Sequence, residues 1–198
     1  MIRRIYLDLD DVCNTMSMYF LSLVGCRVSR TDYADWPAGE MELAIAANKL
    51  LGYRRFDTAS FWAAFDRDAW ASVPETPEFP WLLEQCERLV GRENILIATS
   101  PTEHPECVAG KVDWIHTHFP KWMHRQYAIT PRKWFFARPD ALLIDDNQTN
   151  TALFFADHGS ALLVPRPWNH LGGYPVRAYL EDRFAQQGLP PCQKIFVC

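Results

Sequence analysis

The sequence predicts an α/β domain built on a parallel sheet flanked by helices, with a small helical cap inserted after the first strand. Three observations carry this. Ile5–Leu7, Ile95–Thr99, Ala141–Ile144 and Ser160–Val164 are short apolar runs that each stop at a polar residue or a proline. They lack alternation, as strands buried on both faces of a parallel sheet do. Helical patterns separate the later runs, which implies an open sheet with right-handed crossovers. Finally, far more chain lies between the first two strands than one crossover helix needs.

The elements follow in order. Residues 4–8 form the first strand. Tyr19, Phe20, Leu23 and Val24 share an early helix, Met41–Leu51 is an Ala- and Leu-rich helix stopped by Gly52, and Phe61–Trp70 places aromatics at helical spacing. Pro74, Pro77 and Pro80 break the chain before a helix over Pro80–Val90. The strand Asn94–Thr99 leads to a helix over Glu106–Phe119, with Val108, Val112, Ile115 and Phe119 on one stripe. Gln126–Ile129 reads as a further strand. After the strand ending at Asp145, a helix runs from Asn147 to Asp157, capped by Asp146 or Asn147 and closed at His158-Gly159. The strand 160–164 and a short helix, Val176–Gln187, complete the core. The spacing divides the chain into a core, 1–12 and 73–198, and a cap, 13–72.

Composition narrows the function. The 198 residues are 48% hydrophobic and 22% charged, enough apolar side chain for a packed core. A net charge of −4 argues against a protein that coats nucleic acid but leaves room for a small phosphorylated ligand. Asp8, Asp10 and Asp11 interrupt the apolar start where a signal peptide would continue, and no run approaches the roughly 18 apolar residues of a membrane span. None of the six cysteines forms a Cys-x-x-Cys pair, so reduced, structural thiols in a cytoplasmic setting are expected; Cys192 and Cys198 are the one pair near enough in sequence to suggest a bridge.

In open α/β sheets, ligands bind at the carboxyl ends of the strands. Asp8-Leu-Asp-Asp-Val12 follows one strand end, Thr99-Ser100 another, and Asp145-Asp146 a third. Carboxylates gathered on one rim repel one another, and a hard divalent cation such as Mg²⁺ resolves the repulsion. An Asp pair alone is an ordinary helix cap; both pairs, each at a strand end, favour a metal site for phosphoryl chemistry. Thr99 and Ser100 offer hydroxyls and backbone N–H groups to a phosphate oxygen, and Lys111, early on the next helix, offers an ammonium.

The ordered set Asp8-x-Asp10-x-Val12, Thr99-Ser100, Lys111 and Ile144-Asp145-Asp146 resembles the motifs of the haloacid dehalogenase (HAD) superfamily of phosphohydrolases. Within it, Ala98-Thr-Ser-Pro101, Gly110-Lys-Val-Asp-Trp-Ile115 and Leu142-Leu-Ile-Asp-Asp146 are most similar to the 5′(3′)-deoxyribonucleotidases. Two positions depart from that family: Asp11, where it usually carries Gly, and Asn147, where an Arg often follows the acidic pair. The resemblance implies a HAD-like Rossmannoid core and a Mg²⁺-dependent phosphomonoesterase. Asp8 is then the nucleophile, forming an aspartyl-phosphate, and Asp10 the general acid and base. Asp8, Asp10 through its carbonyl, Asp145 and Asp146 hold the metal, and Thr99, Ser100 and Lys111 hold the phosphate. The implied substrate is a deoxynucleoside monophosphate.

A base in the cap would stack on aromatic faces, for which Tyr19, Phe20, Trp36 and Trp62 are the candidates; Phe61, Phe65 and Trp70 read as cap core. Arg132-Lys133 reads as a contact to phosphate or to the Lys111 region, or as a solvated turn. His116 and His118, two apart on a helix, make a poor metal pair. Three alternatives stay open: another small phosphate ester, a polynucleotide phosphate end, and a nucleotide-binding protein with little turnover. Oligomeric state is also open, a homodimer included.

Overall fold

A computed structural model describes residues 1–28, 33 and 35–186. Cys192 and Cys198 lie outside them; Cys13, Cys26, Cys86 and Cys107 are buried free thiols. Five strands form one all-parallel sheet: β1 (Arg4–Leu7), β2 (Ile95–Thr99), β3 (Tyr127–Ile129), β4 (Ala141–Asp145) and β5 (Ser160–Leu163). Their order is β3-β2-β1-β4-β5, so the chain reverses direction across the sheet between β1 and β4, where such sheets open a binding crevice. Leu7 is in register with both Ile97 and Ile144, and the Asp8 N–H continues the ladder to the Ile144 carbonyl at 2.9 Å. The polar residues that follow β1, β2 and β4 therefore lie on one rim.

Successive side chains serve opposite faces. Ile5, Leu7, Ile95, Ile97, Leu142, Ile144 and Leu162 belong to the main hydrophobic core. Tyr6, Ala98, Leu143 and Ala161 belong to a second core around Phe154. Burial on both faces is why these strands read as unbroken apolar runs.

The segment between β1 and β2 holds α1 (Met16–Leu23), α2 (Leu43–Leu51), α3 (Thr58–Trp62), α4 (Arg67–Ala71) and α5 (Phe79–Val90). The single helix expected over Phe61–Trp70 is two helices. Asp57 caps α3 in a reciprocal box with Ser60, and Asp66 caps α4 by accepting from the Ala69 N–H at 2.9 Å, so each Asp starts a new helix. The two ends of the segment that holds α1 to α4 are hydrogen-bonded together: the Thr15 N–H donates to the Pro74 carbonyl at 2.8 Å, and the Thr76 N–H to the Cys13 carbonyl at 2.9 Å.

Beyond β2 come α6 (Pro105–His118), α7 (Gln148–Ala156) and α8 (Val176–Ala185). α6 packs along α4. Gly110 is required at this crossing: a Cβ there would meet Trp70 Cβ at 2.3 Å and the Arg67 carbonyl at 2.6 Å. Among the described residues no helix is long and apolar enough to cross a membrane.

Candidate active site

Asp8 ends β1. Its carboxylate is buried, and Oδ1 accepts from the Leu9 N–H at 2.8 Å. The next turn is sharp. Asp11 adopts φ 55°, in the left-handed region that glycine occupies freely and that Asp tolerates better than most residues. The Asp11 side chain makes the conformation worthwhile. It accepts from the Ser17 N–H at 3.1 Å and from the Ser17 hydroxyl at 2.5 Å, which ties the turn to α1. Arg166, also buried, donates from Nε to the Asp11 carbonyl at 2.7 Å.

Asp145 and Asp146 end β4, and both are buried. Asp145 Oδ1 accepts from the Asn147 N–H at 2.8 Å, while Asn147 caps α7 by accepting from Thr149 and Asn150. Asp8, Asp145 and Asp146 each present one carboxylate oxygen within 4.8 Å of the others. Burial, with Asp145 and Asp10 nearby, pushes the Asp8 carboxyl up to about 7 against the pull of Lys133. Burial and the neighbouring Asp145 push Asp146 well above the carboxylate range, and burial holds Asp11 at about 7. Buried, mutually repelling oxygen donors fit a hard divalent cation, which would restore their ionised form.

Two lysines meet these acids. Lys111 on α6 is 2% exposed; its ammonium pairs with Asp10, donates to the Ser100 carbonyl and reaches Thr99 Oγ1 at 2.9 Å. The spacing that singled out Lys111 thus places it beside Asp10, Thr99 and Ser100. Lys133 is the residue that sequence reasoning left undecided. It lies in a 3₁₀ turn (Lys133–Phe136), is 1% exposed, and bridges Asp8 and Asp145 at 2.7 Å each. Burial opposes its charge, but Asp145 and Asp8 more than compensate and raise its pKa. Of its two readings, the solvated turn is therefore corrected. Its neighbour Arg132 is exposed and lies over the Phe135 ring.

Two further residues were not anticipated. The Trp168 indole donates to Asp146 Oδ2 at 2.7 Å, and the Asn169 side chain donates to the Asp146 carbonyl at 2.8 Å. No local signal marks them, because they follow β5 and reach Asp146 only through the sheet order. The aromatic candidates separate. Phe20 is fully buried and stacked at 4.1 Å on Phe65, within the core of the inserted helices rather than free to face a base. Trp36 is 7% exposed and packs at 4.7 Å against Trp168. Tyr19 and Trp62 are half-buried. Trp70, expected only in the core, lies with its ring 5.3 Å from the Lys111 ammonium. His116 stacks on His124, and neither joins the acidic cluster.

Residues 61–178 match the family model of the 5′ nucleotidase, deoxy (pyrimidine), cytosolic type C protein. The matched span includes Thr99, Ser100, Lys111, Lys133, Asp145 and Asp146. No curated protein matches the sequence. Among solved structures, a HAD-family hydrolase from Deinococcus radiodurans with bound phosphate and sodium is 13% identical over 92% of this chain and 88% of that one, with a TM-score of 0.49. A HAD-superfamily hydrolase from Geobacter sulfurreducens is 12% identical over 89% of this chain and 93% of that one, also at 0.49. A HAD-family enzyme from Bacteroides thetaiotaomicron, in complex with magnesium and inorganic phosphate, is 14% identical over 86% of this chain and 99% of that one, at 0.42.

Proposed function

The chain belongs to the deoxy (pyrimidine) 5′ nucleotidase family of HAD phosphohydrolases, and from that premise we propose that it is a Mg²⁺-dependent phosphatase of deoxynucleoside monophosphates, acting through an aspartyl-phosphate on Asp8. The observation that carries the reading is the convergence of Asp8, Asp145 and Asp146 with Lys133 at the ends of β1 and β4, beside Thr99, Ser100 and Lys111.

In this reading an Asp8 carboxylate oxygen attacks phosphorus and the bond to the ester oxygen breaks. Asp10 delivers its proton to the departing alkoxide, then takes one from the water that attacks phosphorus and frees Asp8. Lys133 favours the ionised form of the Asp8 carboxylate, against the effect of burial, and fixes its direction. Lys111 pairs with Asp10. A phosphoryl oxygen that takes Lys111 as its partner leaves the Asp10 carboxylate without its counter-ion, which favours its taking up from solvent the proton that it then gives to the alkoxide. Thr99 and the Ser100 backbone take the remaining phosphoryl oxygens, where charge builds in the transition state. Asp8, the Asp10 carbonyl and Asp146, with Asp145 in support, would hold Mg²⁺. Bound there, the ion supplies charge neutralisation on the attacking and equatorial oxygens. Residues 13–72 act as the cap that selects the substrate, with the half-buried rings of Tyr19 and Trp62 as the ones that would meet a base.

The test is phosphate release from deoxynucleoside, ribonucleoside and sugar monophosphates, with Mg²⁺ and with chelator. Mg²⁺-dependent release from deoxynucleoside monophosphates, lost in Asp8→Asn, is the expected result. Release from sugar phosphates alone overturns the substrate assignment, and full turnover by Asp8→Asn overturns the mechanism.

A further inference from the structure

Trp168 and the loop that carries it have no part in the chemistry described above, yet the loop is built with unusual care. Asn169 donates to both the Asp146 and the Val164 carbonyls at 2.8 Å and accepts from the Leu171 N–H at 3.0 Å. Arg166, 4% exposed, anchors the same loop to the turn after β1 through the Asp11 carbonyl. Held between these anchors, Trp168 is 8% exposed, and its indole N–H points at Asp146 Oδ2. Its ring is wedged by Trp36 at 4.7 Å and Tyr33 at 5.6 Å, both from the segment inserted between β1 and β2. Trp36 is itself fixed by an indole bond to the Glu40 carbonyl at 2.8 Å. No other indole among the described residues donates to a carboxylate: those of Trp36 and Trp114 donate to backbone carbonyls, and that of Trp70 has no partner.

We propose that Trp168 is a positioning residue for the divalent-cation site. Its N–H pins one oxygen of Asp146, so that the carboxylate meets the ion in one fixed orientation. Its ring links that orientation to the seating of Trp36 and Tyr33. The proposal rests on the metal-site reading of Asp8, Asp145 and Asp146. A partner that orients a ligand from behind lowers the freedom the ligand must lose on binding, and removing such a partner commonly weakens metal affinity by about 10–100-fold.

The decisive variant is Trp168→Phe, which keeps a ring against Trp36 and deletes the donor. Binding of Mn²⁺, followed by the electron paramagnetic resonance signal of the free ion, should weaken by about 10–100-fold. The Mg²⁺ concentration that gives half-maximal phosphate release should rise with it. A folded Trp168→Phe that binds Mn²⁺ as the wild type does overturns the proposal, as does a fall in kcat with unchanged Mn²⁺ affinity. If the variant does not fold, the wild type labelled with ¹⁵N-tryptophan decides: an indole N–H resonance that moves with Mg²⁺ saturation supports the contact, and a set of indole resonances all indifferent to Mg²⁺ overturns it. Wild-type protein that binds no Mn²⁺ overturns the metal-site reading, a distinct failure that removes the proposal's premise.

Discussion

Replacing Lys133 with methionine isolates the residue on which the electrostatics of the rim turn. The substitution keeps most of the aliphatic stem and removes an ammonium that is 1% exposed and 2.7 Å from each of two carboxylates. Losing one partner of a buried ion pair costs about 3–5 kcal/mol, because the charge left behind is unpaired and dry. For a chain of this size about 2–4 °C accompanies each kcal/mol, so the metal-free variant should melt about 6–20 °C lower at pH 7.5. The sign of the pH dependence follows from Asp8. With a folded pKa of about 7, Asp8 is largely neutral at pH 5 and increasingly ionised above 7. Lys133 stays charged throughout, its own pKa being raised. The deficit of Lys133→Met should therefore be smaller at pH 5 and grow with rising pH. Saturating Mg²⁺ should recover part of it by supplying the missing positive charge. Phosphate release should fall as well, because Asp8 loses the cation that favours its ionised form. Melting curves by circular dichroism at both pH values, with chelator or Mg²⁺, and a phosphate-release assay make the test. A variant with wild-type melting at pH 7.5, or with a deficit larger at pH 5, refutes the argument.

Other consequences are simpler to measure. Mg²⁺ at about 100 times its Kd should stabilise the wild type by about 2.7 kcal/mol, raising Tm by about 5–11 °C in a thermal-shift titration; a flat titration contradicts the metal site. Asp11→Asn keeps a residue that tolerates the left-handed turn but removes a carboxyl held at about 7. Between about pH 4 and 7 the folded state keeps a proton on Asp11 that the unfolded chain has shed, so this group lowers stability as pH rises; the metal-free variant should show a flatter Tm–pH curve than the wild type. Gly110→Ala forces a Cβ to within 2.3 Å of Trp70 Cβ, and overpacking of this kind costs about 1–3 kcal/mol or more, seen as a lower Tm with reduced turnover because Lys111 adjoins it.

The fold was legible because β1, β2, β4 and β5 are buried on both faces and announce themselves as unbroken apolar runs, whereas β3, at the sheet edge, is only partly buried. Helix ends followed their caps: Asn147 precedes α7, and Gly52, at φ 78°, closes α2. Aromatic spacing over Phe61–Trp70 does not show the break between α3 and α4, which Asp66 sets by capping α4. At the site, residues directly after strands could be read because the carboxyl ends of parallel strands share one rim. Lys133 could not. Its flanks, Thr130-Pro-Arg and Trp134-Phe-Phe, carry turn and apolar signals equally, and its partner Asp8 lies across the sheet. Trp168 and Asn169 were hidden for the same reason: their meaning depends on β5 lying beside β4.

The charges on the rim explain why both lysines are needed and why they do not suffice. Asp8, Asp10, Asp11, Asp145 and Asp146 are met by Lys111, Lys133 and Arg166, which leaves a formal deficit of two positive charges. Without a further cation the deficit is met by raised carboxyl pKa values, Asp8 among them, which in the proposed mechanism would make it a poorer nucleophile near neutral pH. A divalent cation at the proposed site would remove the deficit and favour the ionised form of Asp8. A phosphate dianion would then meet no excess of negative charge, with Lys111 placed between Asp10 and Thr99. Activation of the nucleophile and tolerance of an anionic substrate thus have the same physical cause. Both should fail together when the ion is removed.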